Sequence, residues 1–241
     1  MEKTEKKKRL SASDFFYYYK WHIVVALVVL IVVGVIVFQV ATRENHDVYV
    51  FYAGEKAFLS DENEKLQDAL ASVMREDYDG KDGKNVLVSS HFAMTTAQWN
   101  AYKAQMHTAG SVVSLTNDGY KRYTNEIATG YSSLFIISRE LYNETSSTGR
   151  RFVKISELID IESLPEGVVL TEDGCGVVLA STDFAGYSDA SSIIKTLSPD
   201  TVLCIKAPNV TSAFDSKAKT RYEYAVRMLE DILAFVVFEE A

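Results

Sequence analysis

Proline, cysteine and histidine are scarce in this chain: three, two and four residues among 241. With so little proline, and no tract biased toward glycine or serine, a disordered stalk or low-complexity linker is excluded. Two cysteines cannot build a disulfide framework, and Cys175 and Cys204 each lie in or beside an apolar run, which predicts buried thiols; an oxidising compartment would permit a single Cys175–Cys204 bridge as the alternative. His22, His46, His91 and His107 have no ligand spacing to cysteine, aspartate or one another, so the sequence implies no zinc site and no other metal or cofactor. P-loop, dinucleotide-binding and G-x-S-x-G patterns are missing. Ser216 and Lys219 have S-x-x-K spacing, but their S-D-N and K-T-G companions are absent and the match is coincidental. There is no internal repeat.

Positive charge is also missing where nucleic acid would need it. The first 20 residues hold six basic and three acidic groups; the rest of the chain holds 19 basic and 30 acidic, a net charge of −11. Such a surface repels a phosphate backbone, and nucleic acid is excluded as a partner.

What the chain does have is one long hydrophobic run. From Ile23 to Val40 only Gly34 and Gln39 are not strongly apolar, and no charge interrupts the series. As a helix, these 18 residues span roughly 27 Å, close to the hydrocarbon thickness of a bilayer. Lipid offers no partner to backbone N–H and C=O groups, so the run is helical there despite its valines. A cleaved signal peptide needs a shorter apolar core and small residues before the cut, whereas a cut after Ala41 would put Gln39 at the third position before it. Residues 21–41 are therefore expected to be an uncleaved transmembrane helix with the lipid bilayer as its partner.

The flanks predict its direction. Lys3, Lys6, Lys7, Lys8, Arg9 and Lys20 precede it, and Arg43, Glu44 and Asp47 follow it. The positive-inside rule places residues 1–20, a basic and aromatic tail, in the cytoplasm and the C-terminal part outside. Phe15, Phe16, Tyr17, Tyr18, Tyr19 and Trp21 fall where an aromatic belt would meet the inner interface. Residues 42–47, TRENHD, form a short polar link that keeps the outer domain close to the membrane.

Residues 48–241 are long enough for one domain with a substantial core. VYVFYAG (48–54), NVLVSSHF (85–92) and SSLFIIS (132–138) read as buried strands. Between them, Asp61 with Glu64 suggests a capping box before a helix carrying Leu66, Leu70, Val73 and Met74. Thr95 or Thr96 can cap a helix with Trp99, Tyr102 and Met106 on one face, and residues 117–128 place Tyr120, Tyr123 and Ile127 inward. SVVSLT (111–116) has no clear assignment. Later runs, RRFVKISELI (150–159), GVVLAST (176–182) and TVLCIKA (201–207), supply further strands. A last amphipathic helix carries Tyr222, Val226, Leu229, Leu233 and Val236. The β-α-β-α-β order with near-continuous apolar strands predicts an α/β, three-layer domain with a mainly parallel sheet.

Two features could carry chemistry. In the acidic turn DYDGKDGK (77–84), an EF-hand frame begun at Asp77 puts Lys81, Asp82 and Val88 where an oxygen ligand, glycine and a carboxylate belong. A solvated turn, with glycines supplying positive φ, is the better account. In open α/β sheets ligands bind beyond the carboxyl ends of the strands. Those ends present Tyr52 and Gly54, then Ser89, Ser90 and His91, then Ser138 and Arg139, a set able to bind a small polar ligand or peptide.

KKRLSASDFFYYYKWH before the hydrophobic run, DVYVFYAG after it, and the later DYDGKDGKNVLV, SSLFIISRELYNE and RRFVKISEL segments resemble uncharacterised single-pass membrane proteins of Gram-positive anaerobes. The outer domain of that group is distantly similar to one lobe of a periplasmic-type solute-binding protein. In the group the turn often reads D-x-N-G-D-G-K, a spacing this chain departs from. The resemblance implies a cell-membrane location and an α/β fold, and no established activity. The expectation is a non-catalytic extracytoplasmic module of the bacterial envelope that binds an envelope protein or a small polar ligand. The alternatives are an envelope hydrolase without a recognisable motif and a structural subunit of a membrane complex.

Overall fold

A computed structural model of the protein describes residues 12–41, 46–81, 83–108, 117–149, 151–208 and 216–235. The basic residues 3–9, Arg43, SVVSLT and Val236 lie outside these. Met1–Asn45 and His46–Ala241 are two separate compact units.

The described residues of the first unit form one helix, α1, Ala12–Ala41. Its stretch Tyr19–Val37 has a mean hydropathy of 2.7 and no buried residue. Among the described residues this is the one helix long and apolar enough to cross a membrane, a form shared by a single-pass anchor and a signal sequence. The aromatic residues at its start interlock locally: Lys20 lies 5.1 Å from the Tyr17 ring and Tyr19 meets His22 edge-on.

In the second unit, runs of β-branched and aromatic residues become strands: β1 (Val48–Gly54), β2 (Val86–Phe92) and β3 (Leu134–Ile137). Helices α2 (Ser60–Val73), α3 (Thr96–Thr108) and α4 (Asp118–Thr129) connect them, and α5 (Arg139–Ser147) follows β3. After a stretch of 3-10 turns come β4 (Gly176–Val178), α6 (Ser188–Ile194), β5 (Val202–Ile205) and α7 (Ser216–Leu233).

The strand order is β2-β1-β3-β5-β4. β1 pairs in parallel with β2 and β3, whereas β5 runs antiparallel to both β3 and β4. The sheet is therefore mixed, and the mainly parallel arrangement expected from hydropathy holds for the first three strands only. The reason lies in the connections. β1 to β2 and β2 to β3 are helical crossovers, but β3 reaches β4 through α5 and 3-10 turns, and β5 then inserts between β3 and β4. The 150–159 run contributes an isolated bridge, Phe152 to Lys206, and a 3-10 turn over Ile155–Glu157. GVVLAST keeps only three strand residues before another 3-10 turn, Leu179–Ser181.

Helices cover both faces, giving three layers. Val50 and Tyr52 of β1 share a core with Leu66 and Leu70 of α2, Ile193 of α6, and Met228 and Leu229 of α7. Phe51 and Ala53, alternating to the other face, join Tyr123 and Ile127 of α4 and Leu141 and Tyr142 of α5. Burying a Leu or Phe side chain is worth about 1.5–3 kcal/mol, so both alternating faces of β1 hold the domain together. α7 turns its buried side along Ala225, Met228, Leu229 and Ile232, while the expected Tyr222 and Val226 are only half-buried. α3 buries none of its described side chains, and its predicted face of Trp99, Tyr102 and Met106 is half-buried.

Local signals behave as caps should, with one shift. Thr95 and Gln98 bond reciprocally at the start of α3: the Gln98 N–H donates to Thr95 Oγ1 and the Thr95 N–H to Gln98 Oε1. At α2 the carboxylate that reaches back is Glu62, accepting from the Leu59 N–H at 2.9 Å, rather than the predicted Asp61–Glu64 pair. β2 is an edge strand, and its outward Val88 N–H and C=O are occupied by Gln67 and Asn63 of α2. That occupancy blunts an edge which would otherwise template further strand pairing.

Candidate functional site

β1 and β3 are neighbours whose following helices lie on opposite faces, α2 on one and α5 on the other. At such a switch point the connections part and leave a crevice beyond the strand ends. Here the strand ends are stitched by Ser138 N–H donating to Ala53 O and Ala93 N–H donating to Gly54 O. β5 runs the other way, pairing Val202 with Ile137, so its start brings Thr201 to the same edge.

The crevice is a cavity of about 390 Å³. Tyr52 and Gly54 line it from β1, Glu55 and Lys56 from the turn that follows, Ser138 and Glu140 from the start of α5, and Thr196, Leu197, Ser198 and Thr201 from the α6–β5 connection. Tyr52 stacks on Phe58 with ring centroids 4.3 Å apart. Burial pushes its phenol up to about 12, against an opposing hydrogen bond from the Lys56 N–H. Gly54 makes room for that phenol, since a Cβ there would stand 2.6 Å from the Tyr52 hydroxyl. Lys56 Nζ donates to Glu62 Oε1 at 2.6 Å and to Thr196 Oγ1 at 2.7 Å, tying α2 to the α6–β5 connection. Through that hydrogen bond Lys56 holds the Glu62 carboxyl below its usual range.

Of the residues singled out by the strand-end rule, Tyr52, Gly54 and Ser138 come together in this crevice. Arg139 turns into a neighbouring cavity of about 250 Å³, beside Tyr142, Asn143 and Asp173. Ser89, Ser90 and His91 lie on the edge strand and line neither cavity. Ser89 Oγ is 3.0 Å from His91 Nε2, and the imidazole sits 4.9 Å from the Phe51 ring. Burial, then Arg122, hold the His91 imidazole below its usual range. Among the described residues no carboxylate hydrogen-bonds its other nitrogen, so this pair lacks the orienting acid of a nucleophilic triad.

Of the acidic turn, Asp77 and Asp79 are joined by an aspartate from outside it, while Asp82 lies outside the described residues. Asp47, placed by sequence in the polar link, is 1% exposed, and a carboxylate oxygen from each of Asp47, Asp77 and Asp79 lies within 4.8 Å of the others. Burial raises the Asp47 pKa, and the charges of Asp77 and Asp79 add to the rise. Asp47 accepts from the Asp79 and Asn85 N–H groups, while Asp77 accepts from those of Asp79, Gly80 and Gly83. Gly80 and Gly83 take φ of 68° and 81°, as expected for this turn. These backbone donors account for the cluster as a carboxylate-bound turn joining the start of β1 to the α2–β2 connection.

Lys206 is a residue that sequence reasoning missed. It is 5% exposed, and its ammonium donates to the carbonyls of Glu126 and Gly130, which end α4. The signal was a lone lysine in the apolar run TVLCIKA. Burial pushes Lys206 down to about 8, Glu126 opposes the shift and Arg221 adds to it. From about pH 8 up to 10.5, the ordinary lysine value, Lys206 is protonated more in the unfolded chain than in the folded one, so its own contribution to stability rises with pH. The buried Cys204 thiol keeps its proton in the fold and contributes with the opposite sign. Denaturant titrations of the wild type and Lys206→Met separate the two: the wild-type stability should change with pH more positively than that of the variant. Cys175 and Cys204 are both buried and form no disulfide; burial raises the Cys204 thiol pKa far above its usual value.

Comparison with known protein families, curated proteins and solved structures finds no match to this chain.

Proposed function

We propose that the protein is a membrane-anchored binding module whose switch-point crevice holds a small polar ligand, without catalysis. The observation that carries this reading is the crevice: a roughly 390 Å³ polar cavity where an α/β sheet ordinarily receives ligands. The Ser–His pair that would favour a hydrolase lies on the edge strand, away from that cavity. The apolar α1 and the basic residues before it support a single-pass arrangement, with the N-terminus cytoplasmic and the domain on the outer face. The resemblance to envelope proteins of Gram-positive anaerobes, and to one lobe of a solute-binding protein, belongs to the same proposal.

Native mass spectrometry of the full chain, released from its membrane in mild detergent, tests the binding reading. A small molecule should accompany the wild type and be lost from Ser198→Trp, which fills the crevice from its rim. A wild type that carries no small molecule, or a Ser198→Trp variant that retains it, overturns the reading. Protease added outside spheroplasts should digest residues 46–241; their protection would reverse the orientation.

A further inference from the structure

We infer that the crevice takes a compact zwitterion, its oxyanion against Ser138 and the first turn of α5 and its ammonium between Glu55 and Glu140. The inference rests on the crevice being the ligand site and names the chemistry of what fills it. Ser138 is 5% exposed, lines the cavity, and its hydroxyl has no hydrogen-bond partner among the described residues. A buried hydroxyl without a partner is costly, which marks the corner as one completed by something else. Ser138 is also the N-cap of α5, yet its side chain makes no capping bond. The N–H groups of Arg139 and Glu140 therefore lack both a carbonyl one turn back and a capping oxygen. Together these donors face the positive end of a nine-residue helix, an arrangement that suits an oxyanion.

Every other hydroxyl on the wall is already engaged. Tyr52 accepts from the Lys56 N–H, Thr196 donates to Ile193 O, Ser198 to Asp200, and Thr201 to Ser198 O. The Lys56 ammonium is paired with Glu62 and also donates to Thr196, so its charge is offset before a ligand arrives. At the mouth stand the exposed carboxylates of Glu55 and Glu140. Gln98 donates to one Glu55 oxygen, and Glu140 has no partner for its carboxylate among the described residues. A plain anion would meet two carboxylates on the way in. A plain cation would leave the Ser138 corner empty. A molecule with an oxyanion and an ammonium one or two carbons apart satisfies both ends.

That chemistry belongs to free amino acids and to the ethanolamine phosphate headgroup of lipids. The full chain in non-ionic detergent is titrated calorimetrically with L-serine, phosphoethanolamine, acetate, ethylamine and glucose. At least one of the two zwitterions should bind, with acetate, ethylamine and glucose silent at the same concentration. Serine alone would identify a free amino acid as the source, and phosphoethanolamine alone a headgroup. Ser138→Ala and Glu140→Gln should each raise Kd about tenfold or more, the scale of one hydrogen bond to a charged group. Unliganded Ser138→Ala should melt no lower than the wild type, because the hydroxyl it removes has no partner. Zwitterions that fail to bind, acetate or glucose binding as tightly, or a Glu140→Gln variant with unchanged Kd overturns the inference. Glucose bound by the wild type and lost from Ser198→Trp would keep the crevice as a ligand site while removing the zwitterion.

Discussion

Gly119→Ala is expected to be among the most damaging single-methyl additions in the domain, lowering stability by at least about 3 kcal/mol. A Cβ at this position would stand 1.7 Å from the Phe92 carbonyl oxygen and 2.7 Å from its carbon. Both are backbone atoms at the end of β2, so no side chain can rotate away. Relief requires the start of α4 to lift from the strand. That movement would break the Asn117 Nδ2 to Met94 O bond of 2.8 Å and loosen Tyr123 and Ile127, which are 1% and 7% exposed. For a chain of this size the loss corresponds to a melting-temperature drop of roughly 6–12 °C, read by circular dichroism of the full chain in detergent. A variant within about 0.5 kcal/mol of wild type would show that α4 does not pack so closely on β2.

Asp231→Ala is expected to cost on the order of 3 kcal/mol, for an electrostatic reason rather than a steric one. Asp231 lies on the buried side of α7 and is 7% exposed. One carboxylate oxygen accepts from the Arg75 N–H at 2.9 Å and the Tyr78 hydroxyl at 2.7 Å; the other lies 3.2 Å from Arg75 Nε. This carboxylate holds the segment after α2 against α7, and burial, then the Asp231 bond, raise the Tyr78 phenol far above its usual range. Alanine leaves the Tyr78 hydroxyl and the Arg75 N–H without their acceptor. The nearby Arg227–Glu76 pair, 3.1 Å apart and exposed on both sides, is worth little by comparison. A double-mutant cycle with Tyr78→Phe should show strong coupling. Additive losses would mean that the two residues act independently.

Both residues carry a lesson about where sequence reasoning stops. Asn117-Asp118-Gly119 reads as an ordinary helix start, and nothing in it reports the approach of a strand end from 27 residues earlier. Asp231 interrupts an amphipathic pattern, and its partner segment lies more than 150 residues away in the chain. Hydropathy periodicity reports which face of an element is buried. It does not report what the buried face meets.

The sequence by itself determined the apolar helix, the α/β class and the first three strands, because each is a local property: an unbroken hydrophobic run, or a change of period from two to near four. It also determined that Tyr52, Gly54 and Ser138 stand at strand ends, where the sheet rule places ligands. Tertiary structure alone decided the rest. Strand direction in the second half depends on how the chain returns after α5, and a short apolar run is the same in either direction. The crevice takes half its wall from Glu140 and the Thr196–Thr201 connection, brought alongside β1 only because β5 runs antiparallel to β3. Whether a hydroxyl such as Ser138 is capped or open depends on a side-chain angle and its neighbours, and no spacing in the chain encodes that.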